Sequence, residues 1–239
     1  MKKELSKEYS KISSMFNSIS GKYDFLNHLL SFGIDKTWRN KLVKRLKNIP
    51  EYSKVLDIGC GTGDLTIALY KAGFETVGLD IADKMLKIAK KKSSCLNKKD
   101  IPNPQFFEGN AENLPFGDYV FDAVTISFGI RNFDNREKAL KEIFRVLKNN
   151  GKLAILEFSE PKNRLWRNLY KIYFTGLLPF IGRLISKDTE AYKYLPDSVR
   201  DFPQYEDFCN EISMTGFSNI IYKPLTGGIA TLYIADKLG

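Results

Sequence analysis

Residues 55–64 read VLDIGCGTGD, an apolar run closed by an acid and followed by Gly59, Gly61 and Gly63. Val55 and Leu56, running into Asp57 and then glycine, have the pattern of a short buried strand rather than part of a long helix. Without a Cβ, the three glycines let the loop adopt positive φ and let a ligand approach the main chain. Beyond them, Leu65, Ala68 and Leu69 fall at helical spacing, so the loop ends at a helix N-terminus. Strand, glycine loop and helix together form the first βα turn of a nucleotide-binding sheet. A tight turn with no ligand is the competing reading, because isolated glycine patterns are common.

The loop departs from the dinucleotide fingerprint, which would need glycine where Asp64 stands. That fingerprint serves a pyrophosphate lying at a helix N-terminus. Here Asp57 and Asp64 bracket the loop, a poor setting for phosphate and a good one for positive charge. A second strand, ETVGLD, ends in Asp80, roughly twenty residues after the glycines, where an acid takes the two ribose hydroxyls. The ligand these residues describe carries a ribose and a cationic part and no phosphate.

Composition narrows the class. The 239 residues suit one domain or slightly more, and a hydrophobic content of 43% fits an ordinary globular core. Cys60, Cys95 and Cys209 are scattered and form no C-x-x-C pair, which points to a reducing compartment without a disulfide framework or a zinc site. The one histidine, His28, excludes a histidine metal cluster and reads as a helix-surface or pocket-lining residue. The N-terminus begins with basic residues but has no apolar stretch behind them, so no signal peptide is read there. The most apolar segment, IYFTGLLPFIGRLI (172–185), is too short to span a bilayer and is broken by Pro179 and Arg183. A net charge of +9 favours an anionic partner. In DKMLKIAKKKS, however, Met85, Leu86 and Ala89 form an apolar face and Lys84, Lys87, Lys90, Lys91 and Lys92 read as its solvated side.

The chain then alternates. A short strand QFFEG runs up to Asn110, FDAVTISF (121–128) is apolar as in a strand buried on both faces, and a helix is expected over 136–148. The turn Asn149-Asn150-Gly151 suits positive φ and leads into KLAILEF. Helical material is expected over 162–186, and NIIYK and ATLYIAD close the chain as an antiparallel hairpin on a sheet edge. This order implies an α/β fold with a doubly wound, mostly parallel seven-stranded sheet.

Three longer stretches carry a resemblance beyond the loop. YDFLNHLLSFGIDKTW (23–38) and RVLKNNGKLAILEFS (145–159) resemble the two signatures of the ubiquinone/menaquinone biosynthesis C-methyltransferases, a class I S-adenosylmethionine-dependent family. ISFGIRNF (126–133) and EAYKYLPDSVR (190–200) are similar as well, so the resemblance covers nearly the whole chain. Two positions differ from the family pattern. Asp35 stands where the first signature has His, and Asn149-Asn150 where the second has Pro-Gly. The latter keeps a turn; the former removes a histidine from consideration as a catalytic group.

The resemblance implies S-adenosylmethionine as cofactor and a single methyltransferase domain over 1–239, with a helical cap over 1–50 and a helical insertion over 162–200. It implies that Thr62 contacts the methionine part beside Asp57 and Gly59, that Asp80 takes the ribose, and that Asn110 and Ala111 flank adenine. Ser127 closes the pocket next to the sulfonium. The implied substrate is a lipophilic demethylated isoprenoid quinol methylated at a ring carbon, most like demethylmenaquinol. The equivalent benzoquinol, or RNA or protein on the same fold, are the alternatives. No Asn-Pro-Pro-Tyr-like motif for a base amine follows the fourth strand, so no nucleic-acid partner is expected.

A phenol ionises near pH 10 (roughly), and its phenolate makes the adjacent carbon far more nucleophilic. Arg131 is expected to stabilise that developing charge, with Asn132 beside it and Tyr23 orienting the ring. The aromatic and basic mixture of 165–195, which holds Trp166, Tyr170, Tyr173, Phe174, Phe180, Tyr192, Tyr194, Arg164, Arg167, Lys171 and Arg183, suits a quinone tunnel or a membrane interface. The expected setting is cytoplasmic, with peripheral contact at an anionic membrane face, and a homodimer is compatible with it.

Overall fold

The computed structural model describes residues 8–31, 33–172, 176 and 189–239. Seven strands form one sheet: β1 (Lys54–Ile58), β2 (Glu75–Asp80), β3 (Gln105–Glu108), β4 (Phe121–Ser127), β5 (Leu147–Phe158), β6 (Ser218–Leu225) and β7 (Ala230–Asp236). Their order is β3-β2-β1-β4-β5-β7-β6. The first five run parallel, and β7 lies antiparallel between β5 and β6. The hairpin expected at the sheet edge is there, with its second strand inserted on the inner side.

Alternation along each strand divides the core in two, because successive side chains of a strand point to opposite faces. Leu56, Ile58, Val124, Ile126, Leu153 and Ile155 join Leu140 and Ile143 of helix α5 (Arg136–Val146) in one cluster. Val55, Ala123, Ala154 and Leu156 pack on the other face against Trp38 and Leu42 of α2 (Ile34–Arg45) and Leu65 and Leu69 of α3 (Asp64–Lys71). Both faces are therefore covered, which is why these strands read as nearly unbroken apolar runs.

The ends of elements follow local chemistry. Asn135 caps α5 by accepting the Lys138 N–H at 2.9 Å. That helix stops at Val146, two residues earlier than its apolar pattern suggested, because Leu147 already pairs with Phe121 as the start of β5. Gly63 precedes α3 at φ 83°, and a Cβ there would stand 3.0 Å from the Cβ of Ala89 and 3.2 Å from the Phe106 ring. The loop thus meets α4 (Asp83–Ser93) too closely for a side chain.

Helix α1 (Tyr9–Leu30) precedes α2, and both lie within the range 1–50 where a helical cap is expected. It is tied to the body of the fold by Ser13 Oγ, which donates to Ile81 O at 2.9 Å, and by Asn17 Oδ1, which accepts from Lys84 N at 3.1 Å. Helices α6 (Arg164–Ile172) and α7 (Thr189–Arg200) flank residues 173–188, and α8 (Glu206–Ser213) leads into β6. Tyr173, Phe174, Phe180 and Arg183, and the side chains of His28, Lys171 and Tyr192, lie outside the described residues. Among the described residues, no helix is long and apolar enough to cross a membrane.

Candidate active site

The sheet order reverses direction between β1 and β4, so their carboxyl ends open a crevice, the usual ligand site of such sheets. The loop after β1 is held from the next strand: Gly59 N and Cys60 N donate to Leu79 O at 2.8 and 3.1 Å. At the end of β2 the Asp80 carboxylate takes the Gly61 N–H on Oδ2 at 2.7 Å and the Ala82 N–H on Oδ1 at 2.9 Å. Each oxygen so engaged retains acceptor capacity, which suits a vicinal diol. Burial pushes the Asp80 carboxyl above its ordinary value, against the pull of the backbone N–H groups of Ala82, Gly61 and Ile81. A cationic ligand nearby would favour its ionised form.

The resulting cleft measures about 810 Å³ including its open mouth, and Gly59, Asp80, Asn110, Ala111 and Ser127 all line it. Asn110 accepts the Glu112 N–H on Oδ1 at 2.9 Å, an Asx turn that fixes the loop after β3. Ser127 Oγ, at the end of β4, is buried with no hydrogen-bond partner among the described residues, an unmet polar group facing the place where a ligand would sit. Next to it Phe128 is held at φ 59° with its N–H on Leu156 O at 2.7 Å, backbone strain of the kind that gathers at functional sites. Tyr9, Ile12, Phe16 and Tyr23 of α1 close the cleft from the other side.

A second compartment of about 360 Å³ adjoins the first, and Asp57 and Thr62 belong to its wall. Asp57 is fully buried and accepts from Thr66 Oγ1 at 2.6 Å and Thr125 Oγ1 at 2.9 Å. Burial pushes its carboxyl up to about 7, although both hydroxyls oppose the rise. Thr62 Oγ1 donates to Asp24 of α1, and Lys92 reaches Thr62 O at 3.1 Å, Asp24 at 2.8 Å and Asp64 at 2.5 Å. Lys92 is therefore not part of the solvated face of α4: it ties α1 and the glycine loop to that helix.

The turn after β4 separates the three residues expected to act on the substrate. Tyr23 and Asn132 line the cleft; Arg131 lines neither compartment. The Arg131 guanidinium donates to Glu157 Oε1 at 2.7 Å, Phe128 O at 2.5 Å and Ser198 Oγ at 3.3 Å, and lies over the Phe158 ring. Its backbone N–H meets the other oxygen of the fully buried Glu157 at 3.3 Å. Its charge is spent inside the protein, so the geometry gives it the work of an anchor for the turn. Asn132 instead accepts the Tyr194 hydroxyl on Oδ1 at 3.0 Å, which leaves its amide hydrogens for another partner. Burial raises the Tyr194 hydroxyl above its ordinary value and keeps it a proton donor.

Several wall residues carried no sequence signal of their own. Tyr9, Ile12 and Phe16 look like any helix face until α1 is seen lying across the cleft. Asp134, on the rim, follows Asn132 and Phe133 but matches no motif. Arg39 reaches the second compartment from α2, one residue beyond the first signature.

Comparison with known proteins agrees with this geometry. Residues 3–237 match the family model described as the ubiE/COQ5 methyltransferase family. A protein of Geotalea uraniireducens named ubiquinone/menaquinone biosynthesis C-methyltransferase UbiE is 44% identical, covering 98% of this chain and 99% of its own. A demethylmenaquinone methyltransferase of Thermus thermophilus is 43% identical over 93% of this chain and 100% of its own. Another of that name, from Staphylococcus saprophyticus, is 40% identical over 95% and 96%. Among solved structures, a Thermotoga maritima S-adenosylmethionine-dependent methyltransferase superposes with a TM-score of 0.66 at 22% identity, covering 94% of this chain and 99% of that one. The [4+2]-cyclase SpnF reaches 0.70 at 15%, covering 99% and 98%. At such identities the superpositions speak for the fold alone, and the cyclase shows how far chemistry can vary on it.

The Arg131 pair is open to a direct test. Arg131→Ala leaves Glu157 buried and unpaired, which costs about 3–5 kcal/mol, and denaturant unfolding should register it. The double variant Arg131→Met/Glu157→Leu should recover most of that loss, because no orphaned charge remains. Full stability in Arg131→Ala together with a loss of turnover would return the guanidinium to the chemistry.

Proposed function

Because the chain belongs to the ubiE/COQ5 methyltransferase family, we propose that this methyltransferase transfers the methyl group of S-adenosylmethionine to a ring carbon of a demethylated isoprenoid quinol, with demethylmenaquinol as the preferred substrate. The observation that carries the reading is the end of β2: an acid holding a glycine loop, with acceptor capacity to spare. The names of the relatives from Thermus thermophilus and Staphylococcus saprophyticus favour the naphthoquinol.

When bound, the cofactor supplies an electrophilic methyl group on a sulfonium. Asp80 takes the ribose hydroxyls, and Asn110 and Ala111 flank the adenine. Ser127 brings its unpaired hydroxyl to the part of the ligand beyond the ribose, and Asp57 and Thr62 belong to the amino-acid end. Tyr23 and Asn132 address the substrate. With its Oδ1 committed to Tyr194, Asn132 donates from Nδ2 to a quinol oxygen, which favours the phenolate and so enriches the adjacent carbon. The hydroxyl proton leaves toward the rim, where Asp134 is exposed to solvent. Once the ring carbon bears the methyl group, the proton of that carbon passes to the oxygen as the ring rearomatises, and the neutral thioether S-adenosylhomocysteine is left to depart. Arg131 acts one step back by fixing the turn that presents Asn132.

The substrate's isoprenoid tail supports contact with a membrane. On α6, Leu165 is 68% and Trp166 39% exposed, with Arg164 and Arg167 on the same helix. Apolar and aromatic side chains next to cations suit an anionic interface, and the net charge of +9 acts in the same direction.

Two experiments test these readings. In cells lacking the gene, the demethylated quinone should accumulate; the intact gene should clear it and the Asp80→Ala form should not. A normal quinone profile in the deletion strain would contradict the assignment. For the membrane, purified protein should sediment with vesicles containing phosphatidylglycerol more than with neutral ones, and less so as salt rises. Equal, negligible binding to both would leave α6 without an interfacial role.

A further inference from the structure

The second compartment opens from the first through shared walls, since Tyr23, Gly59, Gly61, Ser127 and Phe128 line both. Asp80, Asn110 and Ala111 belong to the first alone. A ligand with its ribose at Asp80 and its adenine along Asn110 and Ala111 must send its other end past the glycine loop into the second. If the ligand is S-adenosylmethionine, as proposed above, that end carries an α-carboxylate as well as an α-ammonium. The compartment's wall holds the carboxyl groups of Asp57 and of Asp64, the latter already paired with Lys92, so an α-carboxylate entering it needs a cation of its own. Among the described residues lining it, the one cation is Arg39.

We infer that Arg39 is the group that receives the cofactor's α-carboxylate, and that Asp35 is the positioning residue that aims it. Asp35 is 3% exposed and accepts from Arg39 NH1 at 2.5 Å and from Ser31 Oγ at 2.6 Å. Asp64 Oδ2 lies 3.7 Å from the same NH1, and the Phe128 ring lies 5.9 Å below the guanidinium carbon. NH1 is thus committed to the acids, while Nε and NH2 have no hydrogen-bond partner among the described residues, and the side chain is only 11% exposed. A guanidinium presents its donors as a rigid fork matched to a carboxylate, so fixing one arm sets the direction of the rest. The anchor is the very position where this chain carries Asp in place of the histidine of its family's first signature. A carboxylate holds the guanidinium by charge as well as by hydrogen bond, which a neutral imidazole does not.

The inference makes a ligand-specific prediction separable from catalysis. Decarboxylated S-adenosylmethionine keeps the adenosine, the sulfonium and the amine and lacks only the carboxylate. By calorimetric titration, wild-type protein should bind S-adenosylmethionine roughly ten- to a hundredfold more tightly than the decarboxylated form, the range expected of one charge-assisted contact. Arg39→Ala should weaken S-adenosylmethionine by about the same factor, leave the decarboxylated ligand within about threefold, and so abolish the discrimination. Arg39→Lys should preserve part of it, and Asp35→Asn should reduce it without affecting the decarboxylated ligand. Should Arg39→Ala prove too unstable to titrate, Arg39→Lys and Asp35→Asn carry the same comparison. Equal weakening of both ligands would make Arg39 a structural support and overturn the inference. Equal binding of both ligands by the wild type would overturn it too. Wild-type protein that binds neither ligand would remove the cofactor reading itself, and the inference with it.

Discussion

The carboxylate of Asp80 fastens two pieces of backbone just beyond the last pair of the β1–β2 ladder. By accepting the Gly61 and Ala82 N–H groups it binds the glycine loop after β1 to the turn after β2, so two adjacent strand ends become one rigid lip. Everything at the site is referred to that lip. The N–H groups of Gly59 and Cys60 rest on Leu79 O, α1 is tied to Ile81 just beyond it, and Lys92 draws Thr62 and Asp24 together behind it. A buried acid with only neutral donors around it is costly, and the upward push of burial on the Asp80 carboxyl, which disfavours its ionised form, reflects that cost. In the proposed reading, a cationic ligand with hydroxyls to donate offsets that cost at the group that organises the loop.

Most of the fold was legible because the sequence alternates two periods cleanly. Buried parallel strands such as FDAVTIS and amphipathic helices such as α5 differ in length, flanking turns and spacing of apolar residues, and the glycine loop marks where one gives way to the other. The start of β5 was less legible. Leu147 belongs to the helix pattern and yet pairs with Phe121, because strand pairing outweighed local periodicity.

At the site, the ends of β1, β2, β3 and β4 could be named from sequence because topology alone carries them to one crevice. Charge pairing could not be read in the same way. Nothing in ISFGIRNF says that the arginine turns inward, since its partner Glu157 is 26 residues on and lies in a strand read as core. Lys92 looked like one of five solvated lysines, and only the approach of α1 converts it into a tie. Tyr194, noted only as part of an aromatic segment, becomes the residue that orients Asn132. In each case the missing information was a long-range contact of a polar side chain, which has no periodicity to announce it.

The central claim is that this site delivers a methyl group to carbon. The most direct measurement combines purified protein, a chemically reduced short-chain demethylmenaquinol and S-adenosylmethionine labelled with ¹³C in its methyl group, and locates the label by NMR. The account predicts a new methyl signal attached to the quinone ring carbon, formed with the reduced substrate and absent with Asp80→Ala. Label on a ring oxygen, or no transfer from a cofactor that demonstrably binds, would contradict it.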